Sequence, residues 1–232
     1  MFENEVNLME VTPTLIGLLG FTLYLLFLKS DTLNACVTKL FKASKSAFYW
    51  IQLTRISAVF FMLGMPLAYI KGANVSFWSF DFYWTHLDYL YTSIVVLIIL
   101  PLVALNSKKQ THLRHYPQVK MYQWTVLEYA ANIFSWGAYL LAYEYLFRGI
   151  LFLGIIEHIG IYMAVTLNTL VYALAHFHKG KKELLGSIPL GIVLCLISYK
   201  TQTIWTAFFV HWIMATTNFV FSNYHYKKSL KL

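Results

Sequence analysis

Four ionisable side chains stand inside long apolar runs of this chain: Glu144 and Arg148 in the stretch YEYLFRGIL, then His176 and His211. An ionisable group at bilayer depth is costly, so each one marks either chemistry or a partner that satisfies it. Glu144 and Arg148 stand at i and i+4, on one helix face, and an intrahelical salt bridge explains the pair as well as catalysis does. A lone membrane histidine often bonds a neighbouring helix, the simplest reading of His176 or His211 taken singly. Together they offer more. A carboxylate, two imidazoles and, seven residues beyond His211, the Asn218 amide supply a base, groups to orient it and donors for an oxyanion. That is the set a water-activating site requires. One glutamate and two histidines also suit zinc with an open fourth position. No His-Glu-x-x-His helix is present, so zinc ranks behind a metal-free glutamate mechanism, and no cofactor is expected.

The elements that must position these groups follow from composition. Of 232 residues, 59% are hydrophobic and only 12% charged, with a mean hydropathy of +0.58, far from soluble-domain usage. The reading is an all-α, polytopic transmembrane bundle. Apolar runs of spanning length lie at roughly 11–28, 87–105, 132–156, 159–177 and 203–222. Two weaker ones lie at 51–70, where Gln52 and Arg55 can snorkel to the interface, and at 187–199, which is short and opens near Pro189. The count is about seven. The acidic start MFENEVNLMEV does not read as a signal peptide, and with 5 prolines and no linker or repeat, residues 1–232 read as a single integral membrane domain.

The formal net charge of +8 does not imply a nucleic-acid partner, because the basic residues fall in short clusters between apolar runs. Lys29, Lys39, Lys42, Lys45 and Arg55 follow the first run; Lys108, Lys109, Arg114 and Lys120 the third. Lys179, Lys181 and Lys182 follow the fifth, and Lys227, Lys228 and Lys231 end the chain. Only Lys71 and Lys200 fall on the other connectors. This alternation predicts the N-terminus outside, the C-terminus cytoplasmic, and a cell-membrane location in contact with lipid. The connector NSKKQTHLRHYPQVKMYQW is expected to lie along the cytoplasmic surface, with Glu128 and His178 near the interface and Glu157–His158 at an outside turn. Cys36 and Cys195 show no redox or metal spacing and receive no role.

Depth arithmetic brings the candidates together. From that outside turn, Glu144 lies roughly 20 Å down the fourth run and His176 roughly 25 Å along the fifth, at 1.5 Å per residue. His211 and Asn218 are seven residues apart and share a face of the seventh.

From the fourth run onward the chain resembles the CPBP family, the CAAX-protease and bacteriocin-processing intramembrane endopeptidases. That family's first motif is Glu-Glu-x-x-x-Arg followed by Gly; here it stands as Tyr143-Glu144-Tyr145-Leu146-Phe147-Arg148-Gly149. Its second, Phe-x-x-x-His, is similar to Tyr172-Ala173-Leu174-Ala175-His176, and its third, His-x-x-x-Asn, to His211-Trp212-Ile213-Met214-Ala215 after TQTIW. The resemblance spans about residues 137–222. It implies hydrolysis of a peptide bond near the membrane, beside a lipidated or hydrophobic C-terminus. Glu144 and His176 would polarise water, His211 with Asn218 or Tyr143 would stabilise the oxyanion, and Arg148 would orient Glu144. Two positions depart: Tyr143 replaces the first glutamate and Ala215 the asparagine, with Asn218 one turn further on. The alternative is a non-catalytic relative that binds a peptide or signalling partner, as in bacteriocin immunity.

Overall fold

The computed structural model describes residues 8–41, 43–74, 84–177 and 180–230. The acidic start (residues 1–7), Lys42, His178, Lys179 and Lys231 lie outside the described residues, as does the side chain of Lys182. Among the described residues there is no strand. The chain runs α1 (Leu8–Leu28), α2 (Asp31–Leu40), α3 (Ala43–Ala58), a π-helical stretch (Val59–Gly64), α4 (Met65–Gly72), α5 (His86–Asn106), α6 (Gln110–Leu113), α7 (Val126–Glu144), a second π-helical stretch (Tyr145–Leu153), α8 (Ile156–Ala175), α9 (Lys181–Thr201) and α10 (Trp205–Ser229). Five stretches are long and apolar enough to cross a bilayer: Val11–Leu28, Lys45–Gly72, His86–Asn106, Ile156–Ala175 and Glu183–Thr201. This is an all-helical, multi-pass membrane protein.

Lipid gives apolar side chains no reason to hide, so such a bundle is held by close packing and by hydrogen bonds inside it. The outward face of α5 shows this, exposing Leu87, Leu90, Ile94, Leu97, Ile98, Leu102 and Leu105. Close packing shows at Gly20, where an added Cβ would stand 2.1 Å from the Phe61 carbonyl oxygen, so α1 lies backbone to backbone on the first π-helical stretch. Polar ties do the rest. Buried Asp88 caps α5 through Thr85 and accepts a 2.6 Å bond from the Thr206 hydroxyl, fastening α5 to α10.

The structure departs from the sequence expectations in three elements. The sixth run, expected at 187–199, is a 21-residue helix beginning at Lys181; its first turns are too polar for hydropathy to count, and Pro189 sits inside it. The connector 106–124 folds inward rather than lying flat. Its Leu113, Val119 and Met121 are buried, the last two in a small cluster with Phe48. Arg55 does not snorkel out: it is only 5% exposed and reaches across to α7. Glu128 forms a capping box with Thr125 and pairs with Lys45 at 2.6 Å.

Candidate active site

Glu144 is the last residue of α7, and the helix widens to π-helical pitch immediately beyond it, through Arg148. All nine residues of that stretch are buried. A π-turn displaces backbone carbonyls from their usual partners, and in a buried segment these need donors. Asn168 of α8 supplies them: its amide nitrogen donates to the Phe147 carbonyl and, at 3.4 Å, to that of Leu151. The Asn168 amide oxygen in turn accepts the Cys195 thiol at 3.1 Å, which ties α9 in and gives that cysteine a structural role. Arg148 Nη1 lies 3.0 Å from Glu144 Oε2, with both side chains wholly buried. The contact lacks hydrogen-bond alignment, so charge and the Tyr172 ring, 4.3 Å beneath the guanidinium, hold Arg148.

The other oxygen of Glu144 faces a different helix. His211 Nδ1 of α10 is 2.7 Å from Glu144 Oε1. The approach that permits this is built at Gly137, where an added Cβ would stand 2.9 Å from the Trp212 indole, and Trp212 Nε1 donates to the Ile133 carbonyl at 3.0 Å. His176 caps α8, and its Nδ1 donates to the Tyr172 carbonyl at 2.9 Å. The Tyr143 ring stands edge-on to both imidazoles, 6.3 Å from His176 and 6.0 Å from His211, and its buried hydroxyl has no hydrogen-bond partner among the described residues.

These groups face one cleft of about 940 Å³. Tyr143, His176, His211 and Asn218 line it, whereas Glu144 and Arg148 lie behind its wall, reached through His211 and Tyr172. Asn218 is held from outside the motifs. His112 of α6 meets Asn218 Oδ1 through Nε2 at 2.9 Å, while the Asn106 amide meets His112 Nδ1 at 3.1 Å. Burial pushes His112 below the ordinary histidine pKa, which favours the neutral ring. With Asn106 donating to Nδ1, the proton sits on Nε2 and bonds the amide oxygen, leaving the Asn218 amide nitrogen as a donor. Among the described residues, no group of three or more His, Cys, Asp or Glu side chains is gathered as for a metal ion. Both oxygens of Glu144 are already engaged.

Sequence reasoning missed Asn168, His112 and Arg55. Asn168 carries a signal in retrospect, as an amide in the middle of an apolar run. His112 stands among polar connector residues and Arg55 near the start of a weak apolar run, where only packing could single them out.

Comparison with known families places the second half of the chain. Residues 121–217 match a family described as Rce1-like, type II CAAX prenyl endopeptidase Rce1-like. This segment is similar to the Rce1-like family. Comparisons with curated proteins and with solved structures gave no match. The matched segment contains α7, the π-helical stretch, α8, α9 and the first half of α10, and so carries Tyr143, Glu144, Arg148, His176 and His211. Its limits leave Arg55 and His112 before it and Asn218 immediately after it.

Proposed function

We propose that this protein is an intramembrane endopeptidase of CPBP type in the cell membrane, with Glu144 acting through His211 on water in the cleft. The observation that carries the reading is the 2.7 Å bond between His211 Nδ1 and Glu144 Oε1. With Nδ1–H donated to the carboxylate, Nε2 is the unprotonated nitrogen and His211 lines the cleft. A water gives its proton to Nε2, and its oxygen bonds to the substrate carbonyl carbon. The oxyanion accepts from the Tyr143 hydroxyl, which has no acceptor among the described residues, and the Asn218 amide adds a second donor. The carbon–nitrogen bond then breaks as Nε2–H passes its proton to the leaving amine. Glu144 stabilises the transient imidazolium, Arg148 fixes that carboxylate, and His176 orients the attacking water. No cofactor enters this scheme. The substrate class is a membrane-associated peptide with a hydrophobic or lipidated C-terminus, as the family description suggests.

The test is cleavage of a fluorogenic prenyl-cysteine peptide by the protein in liposomes made with H₂¹⁸O. One ¹⁸O should enter the new carboxyl group. Rates should fall at least about 100-fold in His211→Gln and Glu144→Gln and stand unchanged in the presence of a zinc chelator. Loss of activity on chelation, restored by zinc, would move the assignment to a metalloprotease. Peptide bound by the wild type but never cut would favour the second reading, a non-catalytic binder, which the tyrosine at position 143 supports.

A further inference from the structure

The cleft holds a buried cation that the catalytic scheme does not use. Arg55, in the last turn of α3 and bonded to α7, is 5% exposed and lines the same cleft as Tyr143. Its Nη1 donates to the Asn132 carbonyl at 3.0 Å, to Asn132 Oδ1 at 2.9 Å and to the Ser135 hydroxyl at 2.9 Å, and Nη2 has one long contact, 3.4 Å to Gln118 Oε1. The guanidinium rests on the Trp136 ring at 4.5 Å. All of these partners are uncharged, and among the described residues no carboxylate pairs with Arg55. A buried charge without a counter-charge is expensive, and here the acceptors clamp one edge while Nη2 keeps unused donor capacity. A guanidinium held in this way suits a planar anion.

Position selects which anion. Trp136 and Tyr143 both line the cleft and are seven residues apart on one face of α7, so Arg55 lies on the order of 10 Å from the Tyr143 hydroxyl along the helix. An extended peptide spans that distance in about three residues. We propose that Arg55 binds the C-terminal carboxylate of the substrate, so that the cleft measures from the chain end to the bond presented to His211. This rests on the endopeptidase reading for its substrate but not for its test, which reads binding as well as cleavage.

Two peptides ending in prenyl-cysteine and three apolar residues would be compared, one with a free C-terminal acid and one with a C-terminal amide. Binding to the purified protein in detergent is followed by fluorescence anisotropy. Wild type and Glu144→Gln should both bind the acid about tenfold more tightly than the amide, a preference that Arg55→Lys retains in part and Arg55→Gln loses. Where cleavage is observed, the amide should show a raised KM at little-changed kcat. Equal binding of acid and amide by the wild type would overturn the proposal without any variant, so a misfolded Arg55→Gln cannot rescue it. Acid and amide displaced equally by phosphatidic acid vesicles would also overturn it, assigning Arg55 to a lipid headgroup instead. Discrimination without cleavage would uphold the carboxylate site and sink the protease reading.

Discussion

Glu144 and Arg148 form a wholly buried pair in which each charge is the main compensation for the other. Removing one partner strands its counterpart, at a cost of about 3–5 kcal/mol in typical buried pairs. Arg148→Met should therefore lower thermal stability, and Glu144→Gln should do so less, because the amide keeps the volume and can still accept from His211 Nδ1. The double change Glu144→Gln with Arg148→Met should recover stability, because no charge is left unpaired, but not cleavage, because the imidazolium loses its carboxylate. Melting curves and peptide hydrolysis on the three variants separate chemistry from scaffolding. Full activity in the double variant would show that the pair serves only the fold.

At the scale of elements, the candidate site depends on how closely α10 approaches α7, and Gly137 sets that distance. A Cβ there would stand 2.9 Å from Trp212 Cε2, in an indole already fixed by its bond to the Ile133 carbonyl. Overpacking of this kind costs about 1–3 kcal/mol. It should also drive His211, the residue before Trp212, away from Glu144. Gly137→Ala is expected to lose stability and most of its activity. Its effect should shrink in a Trp212→Phe background, where the indole nitrogen and outer ring are gone. Melting temperature and cleavage measured over the four-variant cycle test the coupling; strict additivity would mean that the two residues do not meet.

Across the whole molecule, contacts bring the basic connectors to one end of the bundle. Lys45 meets Glu128 at the starts of α3 and α7, Tyr116 donates to Glu183 at the start of α9, and the Asn223 amide meets the Tyr129 hydroxyl near the end of α10. By the positive-inside rule we propose that this end is cytoplasmic. Reporter fusions after Lys45, His115, Lys182 and Leu230 should therefore report cytoplasm, and fusions after Val75 and His158 the outside. An outside signal at Lys182 would overturn the proposed seven-span topology.

The sequence by itself determined the helical membrane class, because hydropathy is a local property and each spanning run is contiguous. It also singled out Tyr143, Glu144, Arg148, His176, His211 and Asn218, since polar atoms are conspicuous against apolar neighbours. Periodicity put Glu144 beside Arg148, and their ion pair lies within one stretch of chain. What only the tertiary structure decided was which group faces the cleft. Spacing suggests Glu144 itself at the water; in the fold its two oxygens meet Arg148 and His211, and the imidazole stands between it and the cavity. The turn of α10 that achieves this depends on Gly137 and Trp212, which no periodicity links. The same holds for Arg55. A guanidinium near the start of an apolar run snorkels to water unless another helix offers acceptors, and Asn132, Ser135 and Trp136 do so only once α3 and α7 have packed.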